Sequence, residues 1–179
     1  MPSLCAGWTV RDVVAHLASY DGVDEREVGR RLLRRGLSLR RANATGIDDL
    51  VSRPTDELVD LLRGATSMRG LPRRLAGPIV LTDTLVHHQD IRRPLGLPRE
   101  IPAERLRAAL RYAVVLPPVR GAWHGRGVRV VATDLDWRFG VGPEARGTGE
   151  AVLLTLTARP GAARELDGPG AATLVGRFG

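Results

Sequence analysis

The chain has 179 residues, enough for one well-buried domain with at most a small appended subdomain, and its 43% apolar and 26% charged composition is that of a globular protein. Only 4% of residues are aromatic, so Leu, Val, Ile and Ala must build the core. The net charge of +7 comes from 27 basic residues that are all arginine, as a GC-rich coding sequence produces. Their runs around 30–35, 40–41 and 73–74 lack the interleaved aromatics that stack on bases, so a basic nucleic-acid-binding domain ranks below the readings that follow.

In chain order, Thr9–Val10–Arg11–Asp12 reads as a capping box that opens a first helix, with Val10, Val13, Val14 and Leu17 at helical spacing and a stop near Asp21–Gly22. A second helix is expected over Val23–Arg35, with a thin apolar stripe of Val28, Leu32 and Leu33 and an end at Gly36. Residues 37–52 read as partly helical. Pro54–Thr55–Asp56–Glu57 starts a helix with Leu58, Val59, Leu61 and Leu62 on its buried stripe. Pro78 is expected to lead a strong helix from Ile79 to about Ile91, closed by Arg93–Pro94–Leu95–Gly96. Ile101–Pro102–Ala103–Glu104 opens another, which Pro117–Pro118 terminates.

The texture then changes. Residues 127–133 have strand composition, and Asp136–Gly140 reads as the return strand after a short turn. A last helix is expected over about Glu150–Thr157, with a loop tail through 166–170. These elements predict a helical bundle over residues 1–118 followed by a small α/β segment over 119–179.

No apolar run approaches the length of a membrane span, and residues 1–8 have neither a basic n-region nor an apolar h-region. No signal peptide is therefore read, and a cytoplasmic location is expected. The lone Cys5 has no sulfur partner for a disulfide and no adjacent base, so a small, partly buried role is expected of it.

Among the four histidines, His16, His87 and His88 lie on expected helices near carboxylates. Asp83 and His87 are four apart, so both project from one face, one turn apart. His16 flanks the apolar stripe of the first helix, from which it can face the bundle interior. Two imidazoles and one carboxylate make a metal site with open positions for water or substrate. Spacing alone also allows an ordinary hydrogen-bonded core histidine and a chance i,i+4 pair. Asp12 and Asp90 can each hold a ring N–H of a ligand histidine. Equally, Asp12 can complete the capping box and Asp90 can pair with Arg92 or Arg93. His88 points about 100° away from His87 on a regular helix. His124 sits in a loop-like stretch with no motif around it.

The segment from Ser3 to Leu17, GWTVRDVVAHL at its heart, resembles the mycothiol-dependent maleylpyruvate isomerase-like proteins of the DinB/YfiT-type metalloenzyme superfamily. Asp83–Thr84–Leu85–Val86–His87–His88–Gln89–Asp90 resembles their second signature, an acidic residue followed four positions later by His. Residues 132–137 and 167–170 are similar to their small C-terminal segment. The resemblance implies a mainly α fold, a DinB/YfiT-like helical bundle with its first helix missing, and a small C-terminal α/β segment. It implies His16, Asp83 and His87 as ligands of a divalent metal, with Asp83 standing where the family commonly carries Glu.

The implied activity is that of a metal-dependent isomerase or S-transferase that uses mycothiol as thiol cosubstrate on a small electrophilic or acidic substrate. Zinc is the metal expected, and Arg92 or Arg93 is a candidate for holding an acidic group. The alternative reading is a non-catalytic helical-bundle metal-binding protein of the same superfamily. No nucleic-acid or membrane partner is expected.

Overall fold

The computed structural model describes residues 1–20, 25–34, 36, 39–64, 73–116 and 119–178. It is mainly helical, with ten helices and a small three-stranded sheet towards the C-terminus among these residues. Packing divides it into two units, Met1–Gly77 with Gln89–Leu97, and Pro78–His88 with Pro98–Gly179. These units rest on packing, whereas the division at 118/119 expected from sequence rests on composition.

In the first unit, α1 (Val10–Ala18) begins where the sequence says it must. The Thr9 side chain accepts from the Asp12 N–H at 3.2 Å, and the Asp12 carboxylate accepts from the Thr9 N–H at 2.7 Å. Two helix-start donors are thereby satisfied, an arrangement whose loss costs about 1 kcal/mol. Helices α2 (Glu25–Arg34), α3 (Leu39–Leu50) and α4 (Thr55–Gly64) follow, with α3 and α4 against α1 and α2 against α3. Ala15, Ile47 and Leu58 form the buried centre, with Trp8, Val14, Leu50 and Val51 packed on it. Arg11 ties α1 to the turn before α4. Its Nε donates to Val51 O at 2.7 Å and its Nη1 to Thr55 Oγ1 at 2.9 Å, and the guanidinium also reaches Arg53 O.

Gly46 marks the close approach of α3 to the end of α1. A Cβ built there would lie 2.4 Å from Ser19 Oγ and 2.7 Å from Ser19 Cβ, so only hydrogen fits without moving a helix. On α2, Leu33 is 74% exposed, which removes it from the expected apolar stripe. It falls at helical spacing with the exposed Arg26 and Arg30, on the solvated side of the helix. The side chains of Val28 and Leu32 lie outside those described, as do the expected helix ends at Val23 and Arg35.

Helix α5 runs Arg73–Arg92, six residues earlier than the start expected at Ile79, with Pro78 inside it. Proline removes one backbone donor but keeps a helical φ, and at the sixth position only one ladder bond is lost. Residues 65–72, before α5, lie outside the described residues.

In the second unit, α6 (Ala103–Val115) packs against α7 (Gly121–His124) and α8 (Gly149–Leu156). Helix α6 ends at Val115 with Leu116 extended as its C-cap, and Pro117–Pro118 lie outside the described residues. Strand β1 (Arg129–Ala132) pairs antiparallel with β2 (Trp137–Phe139), the return strand expected from composition, with Val130 opposite Phe139. It also pairs in parallel with β3 (Glu144–Gly147), which composition does not announce. Its Glu–Ala–Arg–Gly sequence has no β-branched residue; strand geometry comes from pairing with β1, and the exchange of 2.8 Å bonds between Arg146 and Asp167 covers its outer edge.

Helix α8 is buried along its length except at Glu150, which is half-buried, and its Val152, Leu153, Leu154 and Leu156 centre the core. Each such leucine contributes about 1.5–3 kcal/mol by leaving water. Thr148 caps it, and Asp134 Oδ1 accepts from the Gly149 N–H at 2.7 Å. Two further helices, α9 (Pro160–Ala163) and α10 (Ala171–Phe178), correct the expectation that α8 is the last. Ala171, Leu174, Val175 and Phe178 carry the missed signal, a short i, i+3, i+4, i+7 stripe packed on the core. Among the described residues no helix is long and apolar enough to cross a membrane.

Candidate functional site

Residues 3–8 form a tight loop before α1. Ser3 N donates to Trp8 O at 3.0 Å, Trp8 N to Cys5 O at 3.0 Å, and Ser3 Oγ to Trp8 O at 2.8 Å. Leu4 N reaches Asp90 O at 3.1 Å, joining this loop to the end of α5 within the first unit. The loop sets Trp8 beside His16, with ring centroids 5.0 Å apart and planes tilted by 52°. From the other side along α1, Tyr20 meets the same imidazole edge-on at 5.3 Å and 81°. His16 itself is 1% exposed, and Ser19 Oγ donates to its carbonyl at 2.8 Å.

An imidazole buried between two aromatic rings is held in orientation by packing. Sequence spacing placed His16 on the inner side of α1 but did not show these two neighbours. The signals were available: Trp8 precedes the cap, and Tyr20 follows His16 by four residues. Asp12, one turn before His16, is half-buried and committed to the Thr9 cap, so its structural role is the one observed. Asp90 is fully buried, and its backbone carbonyl anchors Leu4.

In the second unit, α5 brings Asp83 and His87 together. Asp83 Oδ1 lies 3.4 Å from His87 Nε2, with the imidazole 8% and the carboxylate 39% exposed. That is the one-turn spacing read from the sequence, with the histidine on the buried side and the acid at its margin. Thr82, next to Asp83, is buried and returns its hydroxyl to Pro78 O at 2.9 Å.

The remaining histidines have other work. His88 meets the Arg99 guanidinium at Nδ1, which must then accept, leaving the ring proton on Nε2. His124, expected in a loop, is the last residue of α7; its Nδ1 donates to Leu156 O at 2.7 Å, and Phe178 packs against its ring. Both are fixed by their own units.

Residues 1–75 match the family model of the mycothiol maleylpyruvate isomerase N-terminal domain. That match supports the maleylpyruvate isomerase-like family. The matched span includes the Trp8 loop, the Thr9 cap and His16, and it ends before Asp83 and His87. No curated protein and no solved structure matches the chain.

Proposed function

We propose that this chain is a metal-dependent enzyme that uses a small thiol, mycothiol, to isomerise a small electrophilic substrate or, as an S-transferase, to join the thiol to it. The observation that carries the reading is the family match over residues 1–75, the span that holds the packed imidazole of His16. The donor chemistry agrees with it. The proposed ligands are His16, Asp83 and His87, by type two imidazoles and a carboxylate that can each offer one ligand atom. Both histidines are buried and Asp83 is half-buried, which suits ligands that must be kept from competing water.

A divalent cation such as zinc, when bound, supplies positive charge that favours the thiolate form of a thiol near neutral pH. The chain's own residues then have definite tasks. His16 and His87 bind through neutral nitrogens, Asp83 lowers the net charge of the site, and Trp8 with Tyr20 fixes the plane of His16. Addition of a thiolate to an electrophilic double bond, rotation and elimination isomerises a cis alkene such as maleylpyruvate and returns the thiol. Displacement of a leaving group makes an S-transferase instead. Arg92 and Arg93, at the end of α5, are the proposed contacts for an acidic substrate. A cytoplasmic location accords with a low-molecular-weight thiol cosubstrate.

The test is turnover of maleylpyruvate and a panel of electrophiles with and without mycothiol. Mycothiol-dependent turnover that disappears in His87→Ala supports the reading; metal-loaded protein inert toward every electrophile contradicts it.

A further inference from the structure

Trp123, on α7, is 54% exposed. The Cζ of Arg126 lies 4.0 Å from its ring centroid and that of Arg120 5.9 Å away. Arg126 Nη1 also donates to Trp123 O at 2.8 Å, which ties the guanidinium down beside the indole. A third guanidinium, that of Arg177 on α10, donates to the carbonyls of His124 and Arg126, the latter at 2.9 Å. Its pKa is lowered first by burial and then by the positive charge of Arg126.

Among the described residues, none of these three arginines has a carboxylate within ion-pair distance. The backbone beneath them is unusual too. Arg120 takes the left-handed conformation, φ 59° and ψ 23°, which a non-glycine residue adopts only when its surroundings impose it. Gly121 follows so close to α6 that a Cβ there would lie 2.4 Å from Ala113 O, so the start of α7 is pinned. Exposed indole, two guanidiniums upon it, a third beside them and no counter-charge among the described residues form a positively charged patch.

We propose that the Arg120–Trp123–Arg126 surface docks an acidic segment of a partner protein. Trp and Arg are the residues that most often anchor protein interfaces. Carboxylates in succession on one segment can engage two guanidiniums at once, each through two parallel hydrogen bonds. A free anion fits less well, because single exposed charges in open solvent hold little. Single-stranded nucleic acid fits less well, because it needs several stacking platforms and Trp123 is one, already covered in part by Arg126.

The experiment is fluorescence anisotropy of a labelled octaglutamate peptide with the full chain at low ionic strength. Saturable binding is expected, weakened by salt and reduced about tenfold or more in Arg126→Glu and in Arg120→Glu. Arg63→Glu makes the same change in net charge on α4, where the side chain is 76% exposed, and is expected to bind as the parent does. Circular dichroism checks each variant, with Arg120→Glu deciding the matter if Arg126→Glu is misfolded. Absence of saturable binding overturns the proposal, as does equal loss in Arg63→Glu, which reduces the effect to overall charge. Tighter binding of a single-stranded oligonucleotide, or equal occupancy by inorganic phosphate, overturns the assignment of the partner.

Discussion

Asp83 Oδ1 stands 3.4 Å from His87 Nε2, an acid at the solvent margin of α5 and an imidazole one turn deeper on the same face. This spacing has a direct consequence for metal binding. Asp83→Asn keeps the shape of the side chain and removes its charge, and Asp83→Glu keeps the charge on a longer arm. Zinc affinity, measured by competition with a chromogenic chelator, is expected to fall by more than about tenfold in Asp83→Asn and less in Asp83→Glu. Equal affinities in the two variants would show that the carboxylate charge is not a ligand.

Metal uptake is also expected to depend on pH, with a sign that follows from the ligands. Each imidazole must be neutral to bind, so a protonated histidine gives up its proton as the ion enters. Affinity therefore falls as pH is lowered through the acidic range, by up to about two decades per pH unit for two histidines. The same chelator competition across that range measures the slope, and a flat profile excludes histidine ligation.

The cap of α1 is a stability test independent of any metal. Thr9→Ala removes the acceptor for the Asp12 N–H and leaves the Asp12 carboxylate without the Thr9 hydroxyl. A loss of about 1 kcal/mol is expected in urea unfolding, with most of it restored in Thr9→Ser.

Much of this was legible in advance, because local chemistry determines it. Thr9 and Asp12 at cap spacing give the start of α1, and four-residue spacing gives the Asp83–His87 face. The antiparallel β1–β2 pair follows from β-branched residues before a short turn and the aromatic Trp137 and Phe139 after it. What stayed hidden depends on contacts distant in sequence. β3 is strand-like only through its pairing with β1, and α10 is too short for its stripe to stand out. Pro78 looked like a helix start because composition does not show that one missing donor near the beginning of α5 is tolerated. Trp8 and Tyr20 were visible as residues, but the closure of Trp8 on His16 depends on the Ser3–Trp8 loop.

Gly46 is a second packing test. Alanine there sets a methyl carbon 2.4 Å from Ser19 Oγ, and because Ser19 Cβ is also within 2.7 Å, rotating the hydroxyl does not relieve the clash. The helices α1 and α3 must separate, at a cost of about 1–3 kcal/mol. Since Ser19 holds the His16 carbonyl, the same change is expected to loosen the end of α1 that carries the imidazole. Urea unfolding measures the cost, and unaltered stability would contradict the close approach.

Acid stability offers a pH test in α2. Arg31 and then Arg30 donate to the Glu27 carboxylate, at 2.9 and 2.7 Å, and hold its pKa below the usual 4.5. A lowered carboxyl pKa adds stability that is present above 4.5 and is lost as pH falls through the lower folded-state value. Glu27→Gln is therefore expected to narrow the difference in stability between pH 6 and pH 3, read by circular dichroism; an unchanged difference would show that the pairs add nothing.

The most direct measurement is elemental analysis of the purified protein beside His16→Ala and Asp83→Ala. The account predicts about one divalent ion per chain in the parent, with zinc the expected element, and loss of that ion in both variants. An equal metal content in all three proteins would contradict it, because the ligands would then lie elsewhere.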